Sequence, residues 1–145
     1  MLCDHLSSRD QSFWEARACA RKPHRRPSCL DHRLMVPGIT PEVLSRERVP
    51  GTSGKIAIVT RVTYEPGTRV RKHYHTSQIV FYILEGAMLV QDDGKEPITL
   101  KPGDSLFIKP GTVHAHWNAS TTGKLVFTEF ILVDEGQRSV VFVEQ

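Results

Sequence analysis

From Lys55 onward the chain alternates between β-branched or aromatic residues and polar ones with a period of two, and turn residues interrupt it at short intervals. This rhythm constrains the fold more than any other feature, because side chains on an extended strand point to opposite faces in turn. IAIVTRVTY (56–64) stops at Glu65-Pro66-Gly67, where proline presets one backbone angle and glycine accepts a positive φ. VFYIL (80–84) stops at Glu85-Gly86, and AMLVQ (87–91) stops at Asp92-Asp93-Gly94-Lys95, which reads as a hairpin turn and not as an acidic metal loop. ITLK, SLFI and VHAHWN follow, separated by Pro102-Gly103-Asp104 and Lys109-Pro110-Gly111, and Asp104 is expected to cap its turn through a local side-chain bond. KLVFTEFILV and RSVVFV close the chain, and no stretch after residue 48 carries helical periodicity. Roughly eight to ten short strands in about 90 residues predict an all-β sandwich or barrel, closed or double-layered.

At 145 residues and 16.4 kDa the chain holds one domain and a tail. Charged residues make up 24%, and no apolar run approaches the length of a membrane span or a signal-peptide core, so a cytoplasmic location is the default expectation. The composition shifts at Met35. Residues 1–34 hold seven Lys/Arg against four Asp/Glu, all three cysteines (Cys3, Cys19, Cys29) and three of the seven histidines. The basic pairs there are broken by Pro23 and Pro27, too sparse a pattern to argue for nucleic-acid binding, and Cys29-x2-His32 lacks the second pair that a zinc site needs. Residues 1–34 are therefore expected to form an irregular, basic extension, and residues 35–145 the β domain, with Val36–Gly51 as a Pro/Gly-punctuated lead-in.

The domain's four histidines fall in two strands. His73 and His75 share parity, as do His114 and His116 with Asn118, so each pair presents two imidazoles to one face. Two convergent nitrogens from one strand and a third from another suit a first-row transition metal, whereas alternating solvent-facing histidines are the bland alternative. Ile79, Phe81 and Ile83 share parity and are expected to line the same interior, favouring an apolar or aromatic small ligand. Trp117, of opposite parity to the histidines, is expected to pack between sheets or at a subunit interface. Arg71 and Lys72 could steer an anion toward the site, with solvated charge as the commoner outcome.

Gly67, five residues, His73-x-His75 and later Gly86 are followed by Gly103, six residues, Pro110-Gly111, two residues, His114, three residues and Asn118. These two segments, in this order, resemble the paired signature motifs of the cupin superfamily, over roughly residues 56–133. The resemblance implies a double-stranded β-helix, or jelly-roll barrel, and a metal held by His73, His75 and His114. It also exposes a departure: where the first motif carries a glutamate, this chain has Ile79 and Val80. Gln78 stands one place earlier and reaches the interior only if the preceding segment bulges, so it is the candidate fourth ligand or orienter. Three neutral imidazoles would leave a divalent ion its full charge, bind it less tightly, and favour Fe, Zn, Ni, Cu or Co over Mn or Mg. His116 is expected to act behind the ligands or as a proton relay, or else to be satisfied by a backbone carbonyl or by Asn118, which shares its face.

Two functions of different classes follow. The first is a metal-dependent enzyme of oxygenase type, or alternatively an isomerase or lyase, acting on a small oxygen-bearing organic substrate, aromatic or enolic; cupins include dioxygenases of flavonol-like compounds. The second is a non-catalytic sensor or carrier of a small molecule, with a weak or vestigial metal site. A homodimer is expected, because a small domain with an edge strand such as RSVVFV is inclined to pair with a copy of itself.

Overall fold

The computed structural model describes residues 36–143, and among these there are ten strands and no helix. In chain order they are β1 (Ile39–Arg48), β2 (Lys55–Tyr64), β3 (Arg69–His75), β4 (Gln78–Glu85), β5 (Met88–Asp92), β6 (Ile98–Leu100), β7 (Ser105–Ile108), β8 (His114–Asn118), β9 (Leu125–Asp134) and β10 (Val140–Phe142). One five-stranded sheet has the order β1-β2-β9-β4-β7 and the other β10-β3-β8-β5-β6. All neighbours are antiparallel. The expected all-β, double-sheet jelly roll is the observed fold. The expected extension, residues 1–34, lies outside the described residues.

The period of two decides which side chains meet between the sheets. Along β4, Ile79, Phe81 and Ile83 are fully buried, whereas Tyr82 and Leu84 are exposed. Along β9, Leu125, Phe127, Ile131 and Val133 are buried, whereas Phe130 is exposed. With Ile56, Val62, Tyr64, Met88, Val90 and Ile108 they form one apolar core, each large side chain contributing about 1.5–3 kcal/mol. Asp92 and Lys95 do close a hairpin, with the Lys95 amide donating to the Asp92 carbonyl at 3.1 Å. Asp104 caps its turn, accepting the Lys101 amide at 2.8 Å. Gly86 between β4 and β5 has φ of 77°, and a Cβ there would run into the Lys124 carbonyl, so only glycine fits.

The lead-in differs from expectation. Most of Val36–Gly51 is β1, a ten-residue strand paired with β2 along its length. It carries no two-period signal because neither of its faces is buried: nine of its ten residues are exposed. Pro41 is accommodated because β1 is an edge strand, where a missing N–H costs no ladder bond.

Candidate functional site

β3 and β8 are neighbours, with His73 directly opposite His114 and His116 opposite Val70. Because both strands turn their even-spaced residues inward, His73, His75, His114 and His116 are all buried, none more than 4% exposed. The ring centroids of His73 and His114 are 4.4 Å apart, and His75 lies 5.0 Å from His73 and 5.2 Å from His114. His116 lies 5.1 Å from His73 and 5.7 Å from His114. Residues separated by some 40 positions in sequence thus meet in one cluster inside the shell.

Each imidazole is oriented from behind. His73 Nδ1 is 2.8 Å from the Arg71 carbonyl, His75 Nδ1 3.2 Å from that of Ser139, and His114 Nδ1 2.9 Å from that of Thr112. A carbonyl only accepts, so in all three rings the proton sits on Nδ1 and the lone pair on Nε2. His75 Nε2 and His114 Nε2 are buried with no hydrogen-bond partner, and the only other such side-chain atom among the described residues is Ser77 Oγ. Buried polar atoms are almost always paired, so two orphaned lone pairs in a cluster of imidazoles fit a cation. Burial pushes His73 down to about 4 and His75 down to about 3, and it lowers His114 and His116 as well. All four rings are therefore neutral near pH 7, the state in which a metal is bound.

Among the described residues, His73, His114 and His116 each offer a ligand atom with all three within 4.8 Å of one another. A three-histidine group able to hold a metal ion is thus present. It overlaps with the expected trio at His73 and His114 and differs in its third member. His116 Nδ1 is 3.1 Å from the Tyr64 hydroxyl, and its ring packs against Phe81 with centroids 5.3 Å apart. Tyr64 is held well above the ordinary phenol range, first by burial and then by the charge of Glu129, and so stays protonated. The hydrogen bond runs from Tyr64 to His116 if the ring's Nε2 carries the proton, and from His116 to the phenol oxygen if Nε2 is given to an ion.

Other expected site residues are placed differently. Gln78 is exposed at the start of β4, with its neighbour Ile79 turned into the core. Thr76 and Ser77 bend the chain ahead of it, but β4 resumes its regular pairing at Gln78↔Leu132, so the amide stays on the outer face. Ile79, Phe81 and Ile83 are core residues, and Phe81 is the one in ring contact with His116. Asn118 is buried and its amide is spent on the backbone: Nδ2 donates to the carbonyls of Glu65 and Gly123 at 3.2 and 2.8 Å, and Oδ1 accepts the Ser120 amide at 2.9 Å. It fastens two loops and leaves no group for a ligand. Trp117 lies beneath the Arg69 guanidinium, 4.3 Å from its ring centroid. Arg71 covers Phe142 and Lys72 pairs with Asp93, so both cations are engaged outside the cluster.

Two inward polar residues escaped the sequence reading, Tyr64 and Glu129. Glu129 stands between Phe127 and Ile131 on the buried parity of β9, opposite Phe81 on β4 and Thr60 on β2. Its parity was readable in KLVFTEFILV, the one signal that could have found it. Burial raises its carboxyl to about 7. Beside the cluster a cavity of about 450 Å³ opens between the β5–β6 hairpin and the segment 106–112. Val90, Leu106 and Ile108 are among its apolar walls, Asp92, Lys95 and Lys109 among its charged ones. None of the four histidines lines it, but Thr112, whose carbonyl orients His114, does.

A family model described as a cupin domain matches residues 60–133. Residues of the chain are 43% identical over 61 positions to quercetin 2,3-dioxygenase of Bacillus subtilis (strain 168), covering 41% of this chain and 18% of that protein. They are 36% identical over 73 positions to the uncharacterized protein YdbB of the same organism, covering 50% and 59%. The chain thus spans less than two thirds of either relative. A cupin-like protein of Thermotoga maritima superposes with a TM-score of 0.58 at 25% identity, over 72% of this chain and 75% of that one. With the motifs, the two facing sheets and the family match in agreement, the chain belongs to the cupin superfamily.

Proposed function

We propose that this cupin is a metal-dependent enzyme of oxygenase type, with His73, His75 and His114 as metal ligands and a small aromatic or enolic molecule as substrate. The observation that carries this reading is the pair of orphaned nitrogens, His75 Nε2 and His114 Nε2, in rings whose Nδ1 atoms are already committed. The 43% identity with part of a quercetin dioxygenase supports the reaction type. A bound Fe, Zn, Ni, Cu or Co ion would polarise an oxygen of substrate or water and, for a redox-active ion, admit dioxygen chemistry. The chain's own residues do the rest. Neutral imidazoles are oriented by three backbone carbonyls, which fixes the tautomer with Nε2 free to bind. Phe81 and its apolar neighbours exclude water from the cluster, strengthening every charge interaction within it. The Tyr64–His116 pair can hold or pass a proton at the inner end of the site.

The test is metal analysis of the full chain purified without chelator, alongside His75→Ala and His116→Ala. Ligation by His75 predicts that H75A loses metal while H116A keeps it. The reverse result supports the alternative trio of His73, His114 and His116, whose ligand atoms lie within 4.8 Å. Metal-loaded protein is then assayed for oxygen uptake with a flavonol. Stoichiometric metal with no turnover of any enol or flavonol would favour the second reading, a small-molecule sensor or carrier.

A further inference from the structure

We propose that Glu129 is the counter-charge and proton acceptor of the histidine cluster, a carboxylate supplied from β9 where Ile79 leaves β4 without one. The proposal rests on the metal-site reading above and deepens it.

Three observations converge on this residue. The first is its face: the alternation of β9 turns Leu125, Phe127, Ile131 and Val133 inward, and Glu129 shares their parity, whereas Phe130 beside it is exposed. The second is register. Ile79 pairs with Ile131 and Phe81 with Glu129, so Glu129 is the diagonal neighbour of Ile79 on the same face, at about 7–8 Å between backbones. A carboxylate moved from position 79 to position 129 therefore still looks into the same interior. The third is the absence of any other explanation for it. Among the described residues Glu129 forms no ion pair and no hydrogen bond, and its charge is felt by Tyr64, the residue that holds His116. Glu129 itself is half-buried, and a carboxylate drawn partly out of water without a partner costs stability unless it serves a ligand.

The surroundings say what it serves. On β2 the groups facing Glu129 are Thr60 and Tyr64; on β4 they are Ile79, Phe81 and Ile83, none titratable. Across the interior stand His73 and His75 on β3 and His114 and His116 on β8, with Asp92 at the end of β5, which pairs with Lys95 and, opposite His114, also acts on that ring by its charge. Among the described residues no Lys or Arg pairs with Glu129, and a bound cation would supply the charge it meets. In the proton step a water or hydroxyl oxygen at the site loses its proton, the O–H electron pair stays on that oxygen, and the proton goes to a Glu129 carboxylate oxygen, to be returned in the reverse sense. No oxidant or reductant is involved.

Carboxyl ¹³C NMR of the full chain labelled at glutamate, with and without zinc, tests the proposal, and Glu129→Gln assigns the resonance. The expected result is one resonance titrating near neutral pH in the metal-free protein, absent from E129Q, whose midpoint falls by about one pH unit or more when zinc is added. Calorimetric zinc binding at pH 8 is expected to be about tenfold weaker in E129Q, and to recover in E129Q with Ile79→Glu. Zinc that binds to the wild type while the Glu129 resonance stays in place overturns the role of Glu129 and leaves the metal site standing. Failure of zinc to bind any of these proteins overturns the metal site and this role with it.

Discussion

His73 and Glu129 set opposite limits on the pH at which the metal-free barrel is stable. Burial lowers His73 to about 4 and His75 to about 3, so below pH 6.5 the unfolded chain takes up protons that the folded one refuses. Stability is accordingly lost as pH falls from 6.5 through 4, by roughly 3 kcal/mol for His73 alone. Glu129, raised to about 7 from 4.5, acts in the other direction: its folded form prefers the proton, so stability present below pH 4.5 is lost as pH rises through 7. Urea midpoints between pH 4 and 8 should therefore trace a dome, and Glu129→Gln should flatten its alkaline limb while leaving the acid limb in place. An unchanged alkaline limb in E129Q would mean that the carboxyl is not desolvated. Gln78→Ala, by contrast, is expected to leave metal content unchanged, because that amide is on the outer face. The two inward histidine pairs were legible from strand parity and the trio of His73, His75 and His114 was what the resemblance implied, whereas Tyr64 and Glu129 were not singled out, since nothing in their local sequence says what stands opposite.

At the scale of the element, the two long strands β1 and β9 make a controlled comparison. Both have ten residues and pair along β2, but β9 buries four large apolar side chains and β1 none. Phe127→Ala should cost about 3–5 kcal/mol in equilibrium unfolding, and Leu44→Ser less than about 0.5. A large cost at Leu44 would mean that β1 is covered in solution. The same contrast explains the missed strand: alternation marks only a strand with one wet and one dry face. The turns were the most legible elements, because Gly86, Asp92–Lys95 and Asp104 act through their own backbone or immediate neighbours. Gly86→Ala combines a strained φ with a collision against Lys124 and is expected to cost more than about 2 kcal/mol.

For the whole molecule, metal and unfolding are linked. A cation that binds only the assembled cluster should stabilise the barrel by about 4 kcal/mol at a thousandfold excess over Kd, read as a rise in Tm that chelation reverses. The outer face of the sheet containing β4 places exposed Phe107 and Phe130 in one cross-strand row with Val80 between them, and Tyr82 is exposed beside it. Sedimentation equilibrium is expected to show a homodimer that Phe107→Asp with Phe130→Asp converts to monomer. A dimer that survives both changes would place the contact elsewhere.

Alternation and turn chemistry determined by themselves that the chain is an all-β sandwich or barrel and that each histidine pair shares one face, because each of these signals lies within a few residues of backbone; the inward site came from resemblance to the cupin motifs. Which imidazoles cluster, that Tyr64 holds His116, that Asn118 is spent on loops and what stands opposite Glu129 were decided only by strand pairing between distant segments. Tyr64 and His116 are 52 residues apart. The physical reason is that a strand carries its face in its own sequence, but the identity of what lies across the core depends on register and on the packing of one sheet against the other.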